Sequence, residues 1–152
     1  KKKVITCEMG RNLFGIDIQQ IKSMEPTENI IKTLRVPDYI KGFIQFDQKP
    51  TPIVDLKERL LNRKTKPSKH SRIFIVNLKD VHVGIFVDSA SNIFELNEST
   101  IKPYPKLTTF KTSLVQGIGK IRDRQILILD LRNIFSSEET NQIKQIVNGF
   151  TN

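Results

Sequence analysis

The feature that most constrains this chain is an internal duplication written in its spacing. Gly15-Ile16-Asp17-Ile18 aligns with Gly84-Ile85-Phe86-Val87 at an offset of 69 residues, and the same offset carries Val4, Cys7 and Met9 onto Ile73, Val76 and Leu78. Further on, Gly42-Phe43-Ile44-Gln45-Phe46 aligns with Gly117-Ile118-Gly119-Lys120-Ile121, and Pro52-Ile53-Val54-Asp55-Leu56 with Leu127-Ile128-Leu129-Asp130-Leu131, at an offset of 75. Two constant offsets that differ by six residues place an insertion in the second copy, expected in the loop at 105–113. A self-similarity of this kind means two similar units joined in tandem.

The repeated segments are short β-branched runs separated by turn residues, which is the pattern of an all-β protein. Residues 4–8 lead through Gly10-Arg11-Asn12 into 13–18, and residues 73–78 lead through Lys79-Asp80 into 81–87. Each unit has four or five strands, and so small a sheet is best closed into a barrel that hides its edges. Glycines at matching places (Gly15 and Gly84, Gly42 and Gly117) suit sharply bent strands and close backbone approach. The expected organisation is a first barrel unit at 1–67, a second at 68–135 and a C-terminal helix at 136–152.

Helix signals are few but specific. Asp55-Leu56-Lys57-Glu58 has the form of a capping box opening a short helix, and Ser136-Ser137-Glu138-Glu139 repeats the form before a terminal helix. Asp130 holds the place of Asp55 in the second unit without a Glu or Gln three residues on. Ile143, Ile146, Val147 and Phe150 then fall at i, i+3, i+4 and i+7, one apolar stripe.

Composition removes several classes. With 38% apolar and 27% charged residues over 152 positions, the chain is neither a disordered tail nor a membrane span. Lys1-Lys2-Lys3 runs into a strand-like segment and not into a signal sequence. One cysteine, Cys7, forms no internal disulfide and fits a reducing cytoplasm. The net charge of +9 admits an anionic partner. Part of it lies in a stretch free of acidic residues that holds Arg63, Lys64, Lys66, Lys69 and Arg72 around Pro67 and Ser68, which reads as a solvated linker.

A search for reactive groups ends without a centre. Asp55 and Asp130 sit at duplicate positions, whereas a catalytic carboxylate pair needs unlike environments, so each reads as a helix cap. His70, His82 and Cys7 do not have metal-ligand spacing. Ser89 and Ser113 lack a nucleophile-elbow context, and Gly117-Ile118-Gly119 precedes a strand where a dinucleotide motif precedes a helix. No catalytic residue, metal, cofactor or small-molecule substrate is expected. Nucleic acid is the rival partner, because small barrels often present a basic face with stacking aromatics. Phe14, Phe43, Phe46, Phe74, Phe86 and Phe94 lie inside apolar runs and suit a core; Tyr39, Tyr104 and Phe110 lie in loops and are expected to be more exposed. The residues alone leave a protein–protein adaptor and an oligonucleotide binder both open.

The ordered set of motifs resembles the CheW domain. It comprises Phe14-Gly15-Ile16-Asp17-Ile18-Gln19-Gln20-Ile21, Leu34-Arg35-Val36-Pro37-Asp38-Tyr39-Ile40-Lys41-Gly42-Phe43-Ile44 and Pro52-Ile53-Val54-Asp55-Leu56 in the first half. Gly84-Ile85-Phe86-Val87-Asp88, Ile101-Lys102-Pro103-Tyr104-Pro105, Gln116-Gly117-Ile118-Gly119 and Ile128-Leu129-Asp130-Leu131 follow in the second. The resemblance covers residues 3–135. It implies two tandem five-stranded SH3-like barrels with a hydrophobic core between them, and a non-catalytic scaffold that couples chemoreceptor tips to the regulatory domain of the CheA histidine kinase in chemotaxis. It also implies a cytoplasmic location, peripheral to a membrane-associated receptor array. By position it carries Ile21, Ser23 and Gly42 to the receptor-facing side, with Gly42→Trp expected to keep the fold and weaken receptor association. Asp47 falls where many members place an arginine in an Asn-Leu-Arg-Gly turn, a charge reversal at that contact. A CheV-type protein, in which the domain is fused to a phosphorylatable receiver lying outside this sequence, is a second reading of the same resemblance.

Overall fold

A computed structural model describes residues 1–33, 35–105 and 114–150. Among these described residues, ten strands and two helices run in the order β1 (Lys2–Met9), β2 (Asn12–Asp17), β3 (Ile21–Glu25), β4 (Gly42–Phe46), β5 (Lys49–Asp55), α1 (Leu56–Leu61), β6 (Arg72–Leu78), β7 (Val81–Val87), β8 (Ala90–Leu96), β9 (Val115–Ile121), β10 (Arg124–Leu129) and α2 (Ser137–Phe150). Four hairpins close on two-residue turns. Lys79 and Asp80, like Asp47 and Gln48, both have positive φ, the backbone that matches the twist of the flanking strands.

The strands form two curled five-stranded sheets, and they do not sort by repeat. One sheet has the order β8-β1-β2-β10-β9 and the other β3-β6-β7-β5-β4. Each repeat therefore gives its first hairpin to the sheet completed by the other repeat. The division near residue 67 separates the two copies in sequence, but both sheets draw strands from both sides of it. The exchange is seated on two parallel ladders of equivalent register: Ile128 lies opposite Gly15 in one, and Ile53 opposite Gly84 in the other. The crossing from β2 to β3 is a 3-10 turn over Ile18–Gln20 capped by the Asp17 carboxylate, and Gln20 Oε1 accepts the Leu131 N–H at 3.1 Å.

Strand alternation divides the apolar side chains among three clusters. Val4, Leu96, Ile126 and Ile128 fill the inside of the first sheet, and Ile44, Ile53, Ile73, Ile75 and Phe86 the inside of the second. The intervening residues, among them Cys7, Phe14, Ile16, Val54, Phe74, Val76, Ile85, Leu127 and Leu129, meet in one larger core between the sheets. Gly15 and Gly84 explain how so few side chains can fill a barrel. A Cβ at Gly15 would stand 2.7 Å from Ile126 Cδ1, and one at Gly84 2.8 Å from Ile73 Cγ2. The missing side chains let the interior close on isoleucines at native density.

The six-residue difference between the two offsets is distributed. Ile30 and Ile31 stand to Gly42 and Phe43 as Ile101 and Lys102 stand to Gly117 and Ile118, through matching bridges Ile31–Phe43 and Lys102–Ile118. Two residues of the excess have thus entered before Ile101 and four after Lys102. Apart from Pro105, the 105–113 loop expected to hold the insertion lies outside the described residues, as does Phe110.

Both cap readings hold. The Asp55 carboxylate accepts the N–H groups of Lys57 (3.0 Å) and Glu58 (3.4 Å) at α1, and Asp130 accepts that of Arg132 (3.1 Å) at a 3-10 turn over Leu131–Asn133. The first capping box is only half made. Asp55 is still in register with Phe86 at the end of its ladder, and Glu58 turns to Lys41 Nζ at 2.7 Å. The second is complete, with Glu139 N–H on Ser136 Oγ (3.1 Å) and Ser136 N–H on Glu139 Oε1 (2.9 Å). In α2 the first part of the expected stripe faces inward: Ile143 is fully buried and Ile146 and Val147 pack on the central core, while Phe150 is half exposed and meets the Phe43 ring edge-on.

Candidate interaction surface

Cys7 is buried among apolar side chains, and burial pushes its thiol up to about 12, so it is a core residue and not a nucleophile. Asp130 is held below the ordinary carboxylate range, chiefly by the Arg132 guanidinium, whose Nε and Nη2 donate at 2.9 and 2.7 Å. Asp55 meets a different set. Thr65 N–H donates to its Oδ2 at 2.7 Å, and the Thr65 hydroxyl lies 2.6 Å from Asp55 Oδ1 and 2.8 Å from Asp88 Oδ1, while Lys57 Nζ neutralises Asp88 at 3.2 Å. This network pins the basic linker to the start of α1. Arg63, Lys64, Lys66 and Lys69 are left pointing into solvent, as a solvating stretch would be.

Arg59 is the main polar joint of the molecule. Its guanidinium grips the Glu139 carboxylate with two bonds (3.0 and 2.7 Å), donates twice to the Ile134 carbonyl, and lies 5.4 and 5.1 Å from the ring centres of Tyr39 and Phe135. The Tyr39 hydroxyl donates to Gln142 at 2.6 Å. Tyr39, expected in an exposed loop, is instead a half-buried partner of this joint. Burial and the neighbouring Glu139 both raise its phenol. Tyr104 likewise packs against the central core.

The residues assigned to a receptor-facing side occupy the second sheet, but not one spot on it. Ser23, Ile75, Gly84, Ile53 and Gly42 are successive partners in one row across all five strands, so Ser23 and Gly42 stand at opposite edges. Ile21 opens β3 opposite Val76 and is packed against the central core. Its neighbours Gln20 and Lys22 line a cleft of about 500 Å³ between the sheets, with Leu78, Leu131 and Arg132. The Ser23 hydroxyl donates to the Glu25 carboxylate. Asp47 sits exposed on the β4–β5 turn.

Gly42 is a structural glycine. It has φ +156°, and a Cβ there would stand 2.7 Å from Ile30 Cγ2 and 2.9 Å from the Ile31 carbonyl oxygen. The Ile31–Phe43 bridge holds that carbonyl in place, with Phe43 N–H donating to it at 2.7 Å. The expectation that Gly42→Trp would keep the fold is therefore corrected: the side chain would first displace backbone.

A charged cluster escaped the sequence reading altogether. Lys22 on β3, Lys49 on β5, His82 on β7 and Lys144 on α2 are scattered along the chain with no spacing that signals a site. The fold gathers them at the end of the second sheet that carries Asp47. His82 packs edge-on against Phe46 at 5.5 Å, and burial followed by the nearby charge of Lys22 lowers its pKa.

Comparison with known proteins gives one consistent result. Residues 3–139 match the family model described as CheW-like domain. The chain is 26% identical over 132 residues to the chemotaxis protein CheW of Klebsiella aerogenes, covering 86% of this chain and 80% of that protein. It is 27% identical over 140 residues to the chemotaxis protein CheW of Bacillus subtilis, covering 91% and 90%. The solved structure of the scaffolding protein TtCheW from Thermoanaerobacter tengcongensis superposes with a TM-score of 0.81 at 33% identity, covering 89% of this chain and 88% of that one. That structure has two SH3-like barrels, which are the two curled sheets seen here with their exchanged hairpins. The duplicated spacing, the paired barrels and the family match over most of its length agree that this chain belongs to the CheW-like domain family.

Proposed function

We propose that this domain is a non-catalytic adaptor that couples the cytoplasmic tips of chemoreceptors to the regulatory domain of a CheA histidine kinase, at the cytoplasmic side of a membrane-associated array. The observation that carries the reading is the continuous core between two equivalent barrels. It fixes two sets of barrel ends and the cleft between them in one rigid body, which is what a bivalent connector requires. Individual contacts of about 800 Å² or less per partner can be weak and still hold an array, because binding one partner raises the effective concentration of the other. The inter-sheet cleft beside Ile21, with Ser23 on the adjoining edge, is the receptor-facing side; Gly42 supports it through the backbone. Asp47 makes the contact at the turn repulsive toward a carboxylate, so a receptor that binds there presents a cation or leaves the turn free.

Isothermal titration with the regulatory domain of the cognate kinase, at two salt concentrations, tests the reading. Saturable one-to-one binding is expected at both. Absence of binding, together with steeply salt-dependent affinity for single-stranded DNA or RNA, would move the barrels to the nucleic-acid class.

A further inference from the structure

Three members of the cluster missed in the sequence, Lys49, His82 and Lys144, line a second cleft of about 500 Å³, on the side of the second sheet where α2 crosses β5 and β7, while Lys22 lines the inter-sheet cleft. Lys49 and Lys144 stand on its walls with His82, Val81 and Val147, and Asp80 lies at its rim turn. Of the other long cations, Lys41, Lys57, Arg59, Arg124 and Arg132 each pair with a carboxylate, whereas Arg63, Lys66 and Lys69 of the linker stand in solvent. Lys49 and Lys144, the two lysines that line this cleft, form no ion pair among the described residues. The cations of this cleft are therefore available to an incoming anion.

We propose that the cleft between β5, β7 and α2 is a docking site for a glutamate-bearing segment of a partner protein, its carboxylate held by Lys49 and Lys144 and its aliphatic stem laid along Val81 and Val147. Two features select a carboxylate over a phosphate dianion. Asp47 and Asp80 share this end of the sheet, so the excess positive charge is small and suits a single negative charge. The apolar part of the wall fits a hydrocarbon stem, which inorganic phosphate lacks. The charged and titratable groups about His82 are Lys22, Lys49, Lys144, Asp47 and Asp80. A carboxylate entering the site adds a negative neighbour and favours the imidazolium.

The inference rests on the adaptor reading only for the source of the segment, and its test uses the isolated protein, so the two can fail separately. The protein is titrated with a blocked peptide carrying one glutamate between leucines, its glutamine counterpart and inorganic phosphate, and followed by NMR at His82 and His70. Saturable shifts are expected at the His82 imidazole and the Val81 and Val147 amides, with His70 in the exposed basic linker unmoved. Lys144→Gln and Lys49→Gln should each weaken the glutamate peptide about three- to fivefold, the size expected of partly exposed charge pairs, and added salt should weaken it further. The proposal is overturned if the glutamine peptide binds equally well, if His70 and His82 respond alike, if phosphate saturates the site more tightly than the peptide, or if no saturation is reached by about 10 mM.

Discussion

The two barrels are built to one plan and finished differently. Inside, they share a framework of equivalent positions. Gly15 and Gly84 occupy the same place on the parallel ladder, opposite Ile128 and Ile53, and Gly42 and Gly117 both press against a neighbouring carbonyl, at 2.9 and 2.8 Å from where a Cβ would stand. Outside, they part. The first sheet brings its outer strands β8 and β9 together, and its Asp130 cap is tied locally to Arg132. The second carries a full helix after its cap, binds that cap to Thr65 and the basic linker, and is crossed by α2. It also holds most of the surplus charge, with thirteen Lys and Arg against seven Asp and Glu in residues 20–87. The lesson is that a duplicated core is constrained by packing at both sites, whereas each surface is free to acquire its own partner. In an adaptor, that divergence is what makes two unlike contacts from one repeated unit.

The sharpest way to break the comparison is to separate the copies. A fragment of residues 1–67 lacks β6 and β7, so β3 loses its ladder and Phe14 and Val54 lose the facing half of their core. It should show no cooperative unfolding transition by circular dichroism, and mixing it with a 68–152 fragment should restore one. Next in size, Phe74→Ala removes a fully buried ring from the central core and should cost about 3–5 kcal/mol in chemical denaturation. Gly15→Val and Gly84→Val test the equivalence itself: both overpack an isoleucine-lined interior, and each should cost about 1–3 kcal/mol or more, by similar amounts. Unequal costs would show that one barrel yields where the other does not.

The caps should separate the barrels again. Asp55→Ala frees a helix terminus, two linker bonds from Thr65 and a partner of the Asp88 network, so it should cost more than Asp130→Ala, within the range of about 0.5–2 kcal/mol typical of cap losses. The smallest effect is on pH. His82 has a lowered pKa in the fold, so the unfolded chain binds its proton first as pH falls. Stability is then full above the ordinary histidine pKa near 6.5 and declines as pH drops through it toward the folded value. His82→Gln should flatten the stability profile between about pH 7 and 5, measured by thermal unfolding across that range.

Much of this was legible in the chain. The constant offsets identify equivalent residues, alternation assigns side chains to opposite faces, and Asp55, Asp130 and Ser136 announce the element starts they cap, because each of these signals is local. Arg59 was not legible as a joint: its partners Tyr39, Ile134, Phe135 and Glu139 come from three segments, and nothing in Leu56-Lys57-Glu58-Arg59 tells where that side chain will land. Tyr39 was misplaced for the same reason, as was the room around Gly42, which depends on a carbonyl eleven residues away.

What the sequence by itself determined is that two like β units are present and which residues in them correspond. What only the tertiary structure decided is which hairpin completes which sheet. The physical reason lies in the duplication. Because Gly15 and Gly84 present nearly the same ladder edge to Ile128 and Ile53, self-pairing and exchange satisfy the same local pattern, and the choice falls to the connections and to the shared core that the exchanged arrangement closes. That same closure brings Lys49, His82 and Lys144 to one cleft.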